Sequence, residues 1–292
     1  MNVLFVGDNI CGIPNALARA LREEGHEATT LSFNPDSQGH VSDILTLTSS
    51  RFERVLIILS RKEDVFFFVG DTPVGGIDIL FYKLMGKKVI IGYHGSEVRG
   101  KGPRFFHRFA DVLFVSTPDL LADVPGGVWL PNPIFVEDYP VAEPEGTVIL
   151  HPTTDRFYSG TSYLTEAVGR LMNRMPEVKL NIIEGVPYNE AIRSYRKATV
   201  MVDKLCTVGY PGMSGLECMA MGIPVMCYVR EDLKERLKGA VCFTNPHWIE
   251  RDLFELLNCK RYRELHSIYG KEYVAKVHNP KECVKKIMGA LK

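Results

Sequence analysis

Surplus charge is the first thing this sequence lacks. Its 35 lysines and arginines balance 35 aspartates and glutamates, so no global field steers the chain toward nucleic acid or an anionic membrane. No apolar run approaches the roughly 18 residues that cross a bilayer. The opening residues 1–7 lack a basic stretch ahead of an apolar one, and they read as a first strand rather than a secretory leader. The seven cysteines are odd in number and include no Cys-x-x-Cys pair. They read as small buried hydrophobes in a reducing compartment, which makes the cytoplasm the expected location. Three chemical signatures are also missing: Asp-x-Asp, His-Glu-x-x-His, and a Gly-x-Gly-x-x-Gly following a strand. The first two absences lead us to expect a site without metal, and the third argues against a nicotinamide enzyme.

What remains is an ordinary globular composition, 46% hydrophobic and 24% charged over 292 residues, enough for two domains of roughly 140 residues each. Short apolar runs alternate with helical periodicity. Strands are expected at residues 3–6, 28–33, 65–69, 88–93, 111–116 and 127–130, with helices at 14–24 and 77–84; the run at 55–59 fits either type. Residues 131–146 break the rhythm with Pro131, Pro133, Pro140 and Pro144 among several carboxylates, and they read as an interdomain linker. The alternation then restarts, with strands at 148–151, 179–183, 199–203, 224–228 and 241–244. Strands buried on both faces and separated by helices imply parallel, doubly wound sheets. The expected architecture is therefore α/β, two Rossmann-like domains facing a cleft, at residues 1–140 and 147–278. Residues 279–292 would form a last helix, with Val284, Ile287, Met288 and Leu291 on one face. Such a helix packs on its own protein or makes a peripheral membrane contact; the first is the expectation. In open α/β sheets ligands sit at the carboxyl ends of strands, and the residues singled out below fall there.

The most informative stretch runs Gly209-Tyr210-Pro211-Gly212-Met213-Ser214-Gly215-Leu216-Glu217-Cys218-Met219-Ala220-Met221-Gly222-Ile223-Pro224-Val225. A glycine-rich turn lets backbone approach a ligand, and the helix after it opens with free N–H groups and a partial positive charge. Together they make an anion site suited to a diphosphate. Glu217, placed by the spacing in the first turn of that helix, can accept two ribose hydroxyls. The plain alternative is a glutamate that only complements the helix dipole.

This run resembles the hallmark of retaining glycosyltransferases of family 4 and their GT-B relatives, which carry Glu, seven residues, Glu, then a small-residue helix and Gly-x-Pro-Val. Other segments agree in order: the N-terminal stretch 12–26, Tyr93-His94-Gly95-Ser96-Glu97-Val98-Arg99, Ser116-Thr117-Pro118-Asp119-Leu120, Leu130-Pro131-Asn132-Pro133, and Leu150-His151-Pro152-Thr153-Thr154-Asp155-Arg156 followed by Gly160-Thr161. The resemblance implies an enzyme that moves a sugar from a nucleotide-sugar donor to a glycan, lipid-linked or small-molecule acceptor, with retention and without metal. The donor would lie on the second domain. There Glu217 would bind the ribose, the backbone of Met213, Ser214, Gly215 and Leu216 the diphosphate, and Arg156 the phosphate charge. His94 would lie near the donor sugar or the acceptor. The turn at 8–13 would line the donor or acceptor pocket, and Gly12 is its residue expected to approach the ligand, as a donor-binding position.

The chain departs from the pattern twice. Gly209 stands where the first glutamate of the pair belongs, and Ser159-Gly160 replaces the usual Lys-Gly after the arginine. Lys204, at the end of a neighbouring strand, is expected to restore part of the lost charge. The departures keep two other readings open: a nucleotide-binding homologue that has lost turnover and acts as a partner or regulatory subunit, and another enzyme of the same scaffold such as a nucleotide-sugar epimerase.

Overall fold

The computed structural model of the protein describes residues 1–35, 39–206 and 208–292. It divides into two compact units, one formed by Met1–Pro133 with His278–Lys292, the other by Ile134–Val277.

The first unit is built on strands β1 (Asn2–Val6), β2 (Glu27–Ser32), β3 (Ile44–Leu45), β4 (Val65–Val69), β5 (Lys88–Tyr93), β6 (Val112–Val115) and β7 (Val128–Trp129). They lie in the order β3-β2-β1-β4-β5-β6-β7, and every pairing is parallel. The central strand β4 reads Val-Phe-Phe-Phe-Val and is buried at every position, as a β-branched and aromatic run between two helical layers must be. Helix α1 (Ile13–Glu23) buries Leu17, Ala18, Ala20 and Leu21. Gly25 ends it in the left-handed region at φ 82°, where His26 N–H reaches back to the Leu21 carbonyl at 3.0 Å. The run at 55–59 belongs to helix α2 (Arg51–Leu59). Ser50 caps that helix by accepting the Glu53 N–H, and this local signal decides between strand and helix. Helix α3 (Ile79–Leu84) precedes β5.

The second unit carries β8 (Thr147–Pro152), α4 (Arg156–Ser159), α5 (Thr161–Met172), β9 (Val178–Ile183), α6 (Tyr188–Arg196), β10 (Val200–Val202), α7 (Met213–Ala220), β11 (Val225–Cys227), α8 (Lys234–Leu237), β12 (Cys242–Phe243), α9 (Ile249–Asn258) and α10 (Lys260–Val277). The sheet order is β12-β11-β10-β8-β9, again all parallel. Its core packs Leu164, Val168 and Leu171 of α5 against Ile149, Val200 and Val202 of the sheet and Leu253 of α9. The segment 134–146 runs along this unit, with Ala142 N–H on the Met221 carbonyl at 3.0 Å and Glu143 N–H on that of Arg196 at 2.7 Å.

Helix α11 (Pro280–Ala290) returns to the first unit and packs on α1. Buried His278 places Nδ1 2.8 Å from the Asn132 carbonyl, and Cys283 Sγ donates to the Pro131 carbonyl. Val284 and Ile287 are buried there. No helix among the described residues is long and apolar enough to cross a membrane.

Candidate functional site

Each sheet has one point where the chain reverses its direction of spread. In the second unit it lies between β8 and β10, which are neighbours although β9 intervenes in sequence. Ligands of open α/β sheets bind at such a point. Onto it open the loops after β8 and β10. Leu205 N–H bonds the Ser159 carbonyl at 3.2 Å, and a Cβ on Gly160 would stand 3.0 Å from Leu205 Cβ. Gly160, at φ 73°, is what lets the two loops meet.

Asp203, buried at the end of β10, accepts the Gly212 N–H through Oδ2 at 2.6 Å. Gly212 is the N-cap of α7, and the first helical bond of that turn runs from Leu216 N–H to Gly212 carbonyl at 3.0 Å. The N–H groups of Met213, Ser214 and Gly215 thus belong to the turn that has no acceptor within the helix. The Lys204 ammonium lies over this terminus: a Cβ on Gly212 would meet Nζ at 2.7 Å, and Asp203 Oδ1 is 3.9 Å away. The helix start therefore already faces the protein's own carboxylate, and Lys204 offsets its charge. Arg156 opens α4 and is exposed, with Nε 2.9 Å from Glu184 Oε2. Asp203, Lys204 and Arg156 all act on His151, which burial holds below the usual histidine range. Its Nδ1 lies 2.8 Å from the Val202 carbonyl and its Nε2 2.9 Å from the Thr161 hydroxyl.

Glu217 sits in the second turn of α7, not the first, because the helix begins at Met213. It is 3% exposed. Its Oε1 accepts the hydroxyl of Tyr188 at 2.9 Å and that of Tyr139 at 3.4 Å. Burial pushes the carboxyl up to about 7, against the two hydroxyls, which favour the ionised form. Tyr139, Tyr188 and Asp203 are the residues that sequence reasoning missed. Tyr139 lay in a stretch read as linker, and Tyr188 opens a helix in a different part of the chain, so no local pattern joins them to Glu217.

The first unit reverses between β1 and β4. Gly7, at φ 134°, allows the chain to leave β1 against Val69, whose Cβ is 3.0 Å from where a Gly7 Cβ would be. A cavity of about 540 Å³ opens beside these strand ends, with Asp8, Asp71, Arg51, Arg54 and Arg104 among its walls. Asp71 is the hub of a polar network, taking the Thr72 N–H at 2.8 Å, His107 Nε2 at 2.9 Å and Arg104 Nε at 2.9 Å. Burial alone would raise its carboxyl; the His107 and Thr72 hydrogen bonds and the Arg104 charge hold it below the usual range.

His94 and Gly12 also lie at carboxyl ends in this unit. Burial holds the His94 ring below the usual histidine range, against the opposing charge of Glu97, and its Nδ1 has no partner among the described residues. The following turn is tied by Glu97, which accepts the Gly95 N–H at 2.7 Å. Gly12 adopts φ 69°, and what comes near it is the His40 ring, 3.0 Å from where a Gly12 Cβ would stand. The predicted residues thus separate: Arg156, Lys204 and the α7 residues belong to the second unit, His94 and Gly12 to the first. No cluster of His, Cys, Asp or Glu suited to a metal occurs among the described residues.

No protein-family model matches the chain, and no curated protein matches it by sequence. Solved structures do match. The Anabaena protein HepE (Alr3699), solved in complex with UDP and glucose, superposes with a TM-score of 0.71 at 12% identity, covering 100% of this chain and 99% of its own. A glycosyltransferase from Rickettsia africae gives 0.67 at 12% identity, covering 100% and 99%. The UDP-GlcNAc 2-epimerase of Methanocaldococcus jannaschii, in complex with UDP-GlcNAc and UDP, gives 0.58 at 12% identity, covering 99% and 100%. The fold is that of the GT-B glycosyltransferases and these epimerases, two α/β units each on its own parallel sheet.

Proposed function

We propose that the protein is a glycosyltransferase that takes its sugar from a uridine diphosphate donor held on the second unit. The observation that carries this reading is the β10–α7 connection, where Lys204 lies over the start of α7 beside Asp203 and a buried carboxylate, Glu217, follows one turn later. The helix start and Lys204 would take the diphosphate, with Arg156 swinging from its exposed pair with Glu184. Glu217, steadied by Tyr188 and Tyr139, would take the ribose. The same cations would stabilise the charge that grows on the departing diphosphate. Uridine is supported by the UDP complexes of HepE and the archaeal epimerase. Family 4 membership and retention come from the sequence resemblance, the metal-free reaction from that resemblance and the missing metal motifs, and the cytoplasmic setting from the cysteine usage; all form part of the proposal. His94 is proposed to lie near the donor sugar or the acceptor and Gly12 to approach the donor, both from the first unit. The acceptor would be a glycan, lipid-linked or small-molecule hydroxyl compound.

Calorimetric titration with UDP, GDP and ADP, with Glu217→Ala in parallel, tests the reading. UDP should bind, and the variant should bind it at least about tenfold more weakly. Absence of nucleotide binding, or an unchanged affinity in the variant, sinks the assignment. UDP binding without any turnover of the donor would point instead to a homologue acting as a partner subunit. A second enzymatic reading, nucleotide-sugar epimerisation, is favoured by the archaeal epimerase among the structural neighbours. Conversion of UDP-GlcNAc to its 2-epimer with no acceptor present would establish it over transfer.

A further inference from the structure

We infer that the cavity of the first unit binds an acceptor that carries a phosphate group, gripped by Arg51 and Arg54. The inference rests on the transferase reading and names the acceptor's chemistry. The cavity, about 540 Å³, is within the usual size of small-molecule sites. Its charged walls are not equivalent. Arg104 is neutralised by Asp71 at 2.9 Å, and Asp8 accepts the Asn34 side-chain amide at 2.9 Å. Arg54 is held entirely by neutral groups. Its Nε and one terminal nitrogen donate to the Thr48 carbonyl at 2.9 and 2.7 Å, and its guanidinium stands 5.1 Å over the Phe33 ring. Arg51 projects from the first residue of α2. Neither arginine makes an ion pair with a described residue. Two guanidinium groups, one of them fixed in place, thus stand without an ion-pair partner at a cavity whose lining carries three arginines, Arg51, Arg54 and Arg104, and two aspartates, Asp8 and Asp71. The start of a nine-residue helix, with Ser49 ahead of it on the same wall, adds its positive end.

That arrangement suits a dianion with several acceptor oxygens. Planar guanidinium forks engage two phosphate oxygens at once, and a helix start favours the same charge. The carboxylates Asp8 and Asp71 on the opposite side of the charge balance accept hydroxyl protons, as a sugar or polyol would offer. A phosphorylated sugar or polyol therefore matches both halves of the lining. The phosphate can come free in solution or on a lipid.

The test uses the full chain saturated with UDP, so that the donor site is closed to other phosphates. Glucose 1-phosphate, glycerol 3-phosphate and unphosphorylated glucose are titrated by calorimetry. Vesicles of phosphatidylcholine with and without phosphatidic acid are tested by flotation. At least one phosphorylated probe should bind, glucose should not, and Arg51→Gln with Arg54→Gln should weaken binding at least tenfold while UDP affinity stays unchanged. Binding confined to phosphatidic acid vesicles, and lost in the double variant, identifies a lipid source; binding of the soluble esters identifies a free one. Arg51→Gln alone keeps the test open if Arg54→Gln disturbs the Thr48 turn, because Arg51 is exposed. The proposal falls if no phosphorylated probe binds or if the arginine variants bind unchanged. UDP binding that survives such a failure leaves the donor reading intact; phosphate binding without UDP binding removes the transferase reading alone.

Discussion

The two reversal points make opposite use of the same topology. Between β8 and β10 the chemistry is compressed: Asp203 and Lys204 are adjacent, Gly212 at the α7 start follows Asp203 by 9 residues, and the loops around Gly160 touch. Between β1 and β4 the strand ends stand around an open cavity whose charges come from four separate segments. A compressed site announces itself as a motif, because neighbours in space are neighbours in sequence. A dispersed one does not, and only the folded chain displays it.

Glu217 should give the largest effect in any attempt to break this contrast. Its carboxyl is raised to about 7 in the fold, above its ordinary 4.5. The stability it supports is therefore complete below pH 4.5 and lost as pH rises through 7. Glu217→Gln removes that dependence, and at pH 8 it should be more stable than the parent by about 3 kcal/mol in urea titrations. UDP affinity should rise from pH 6 to 8 in the parent and stay flat in the variant. Equal pH profiles for the two proteins would remove Glu217 as the titrating group.

The dispersed site is sharpened by Gly7→Ala. The substitution forces a side chain into a left-handed backbone against Val69 and should destabilise the first unit by about 2 kcal/mol. UDP binding measured below the unfolding temperature should not change; a joint loss would contradict the division of labour between the units. Lys204→Ala comes next. It leaves the Asp203 carboxylate at the α7 start without its counter-charge and should weaken UDP by about tenfold, with GDP and ADP remaining poor ligands. Arg156→Ala should be mildest, under about threefold, because the guanidinium is exposed and already shared with Glu184. If the Arg156 variant proved worse than the Lys204 variant, the arginine rather than the lysine would be the principal phosphate contact.

The all-parallel sheets were legible in the sequence because strands such as Val65–Val69 are apolar at every position, a pattern that only two-sided burial explains. Helix ends were legible where a residue acts locally, as Gly25 does. The run at 55–59 was ambiguous because its apolar residues lie consecutively, and the cap that decides the matter, Ser50, lies outside it. The α7 segment could be found from its glycines and Glu217. The turn of Glu217 was misplaced because the helix starts after Gly212 rather than nearer the glutamate. Tyr139 and Tyr188 were beyond reach: they meet Glu217 across 78 and 29 residues of sequence. The same holds for Arg54 and Phe33, whose stacking comes from tertiary packing and has no periodic trace.

The docking of α11 on α1 bears on how the chain is made. The His278 ring meets the Asn132 carbonyl across 146 residues, so every strand of the first sheet leaves the ribosome well before the helix that completes its unit. The second unit, by contrast, is one uninterrupted segment and can close as soon as α10 emerges. The order in which the two units begin and the order in which they are complete are therefore inverted: the unit begun first is finished last. Until His278–Lys292 is made, the face of α1 that packs on α11 has no cover, an exposed surface of the kind that invites aggregation during synthesis.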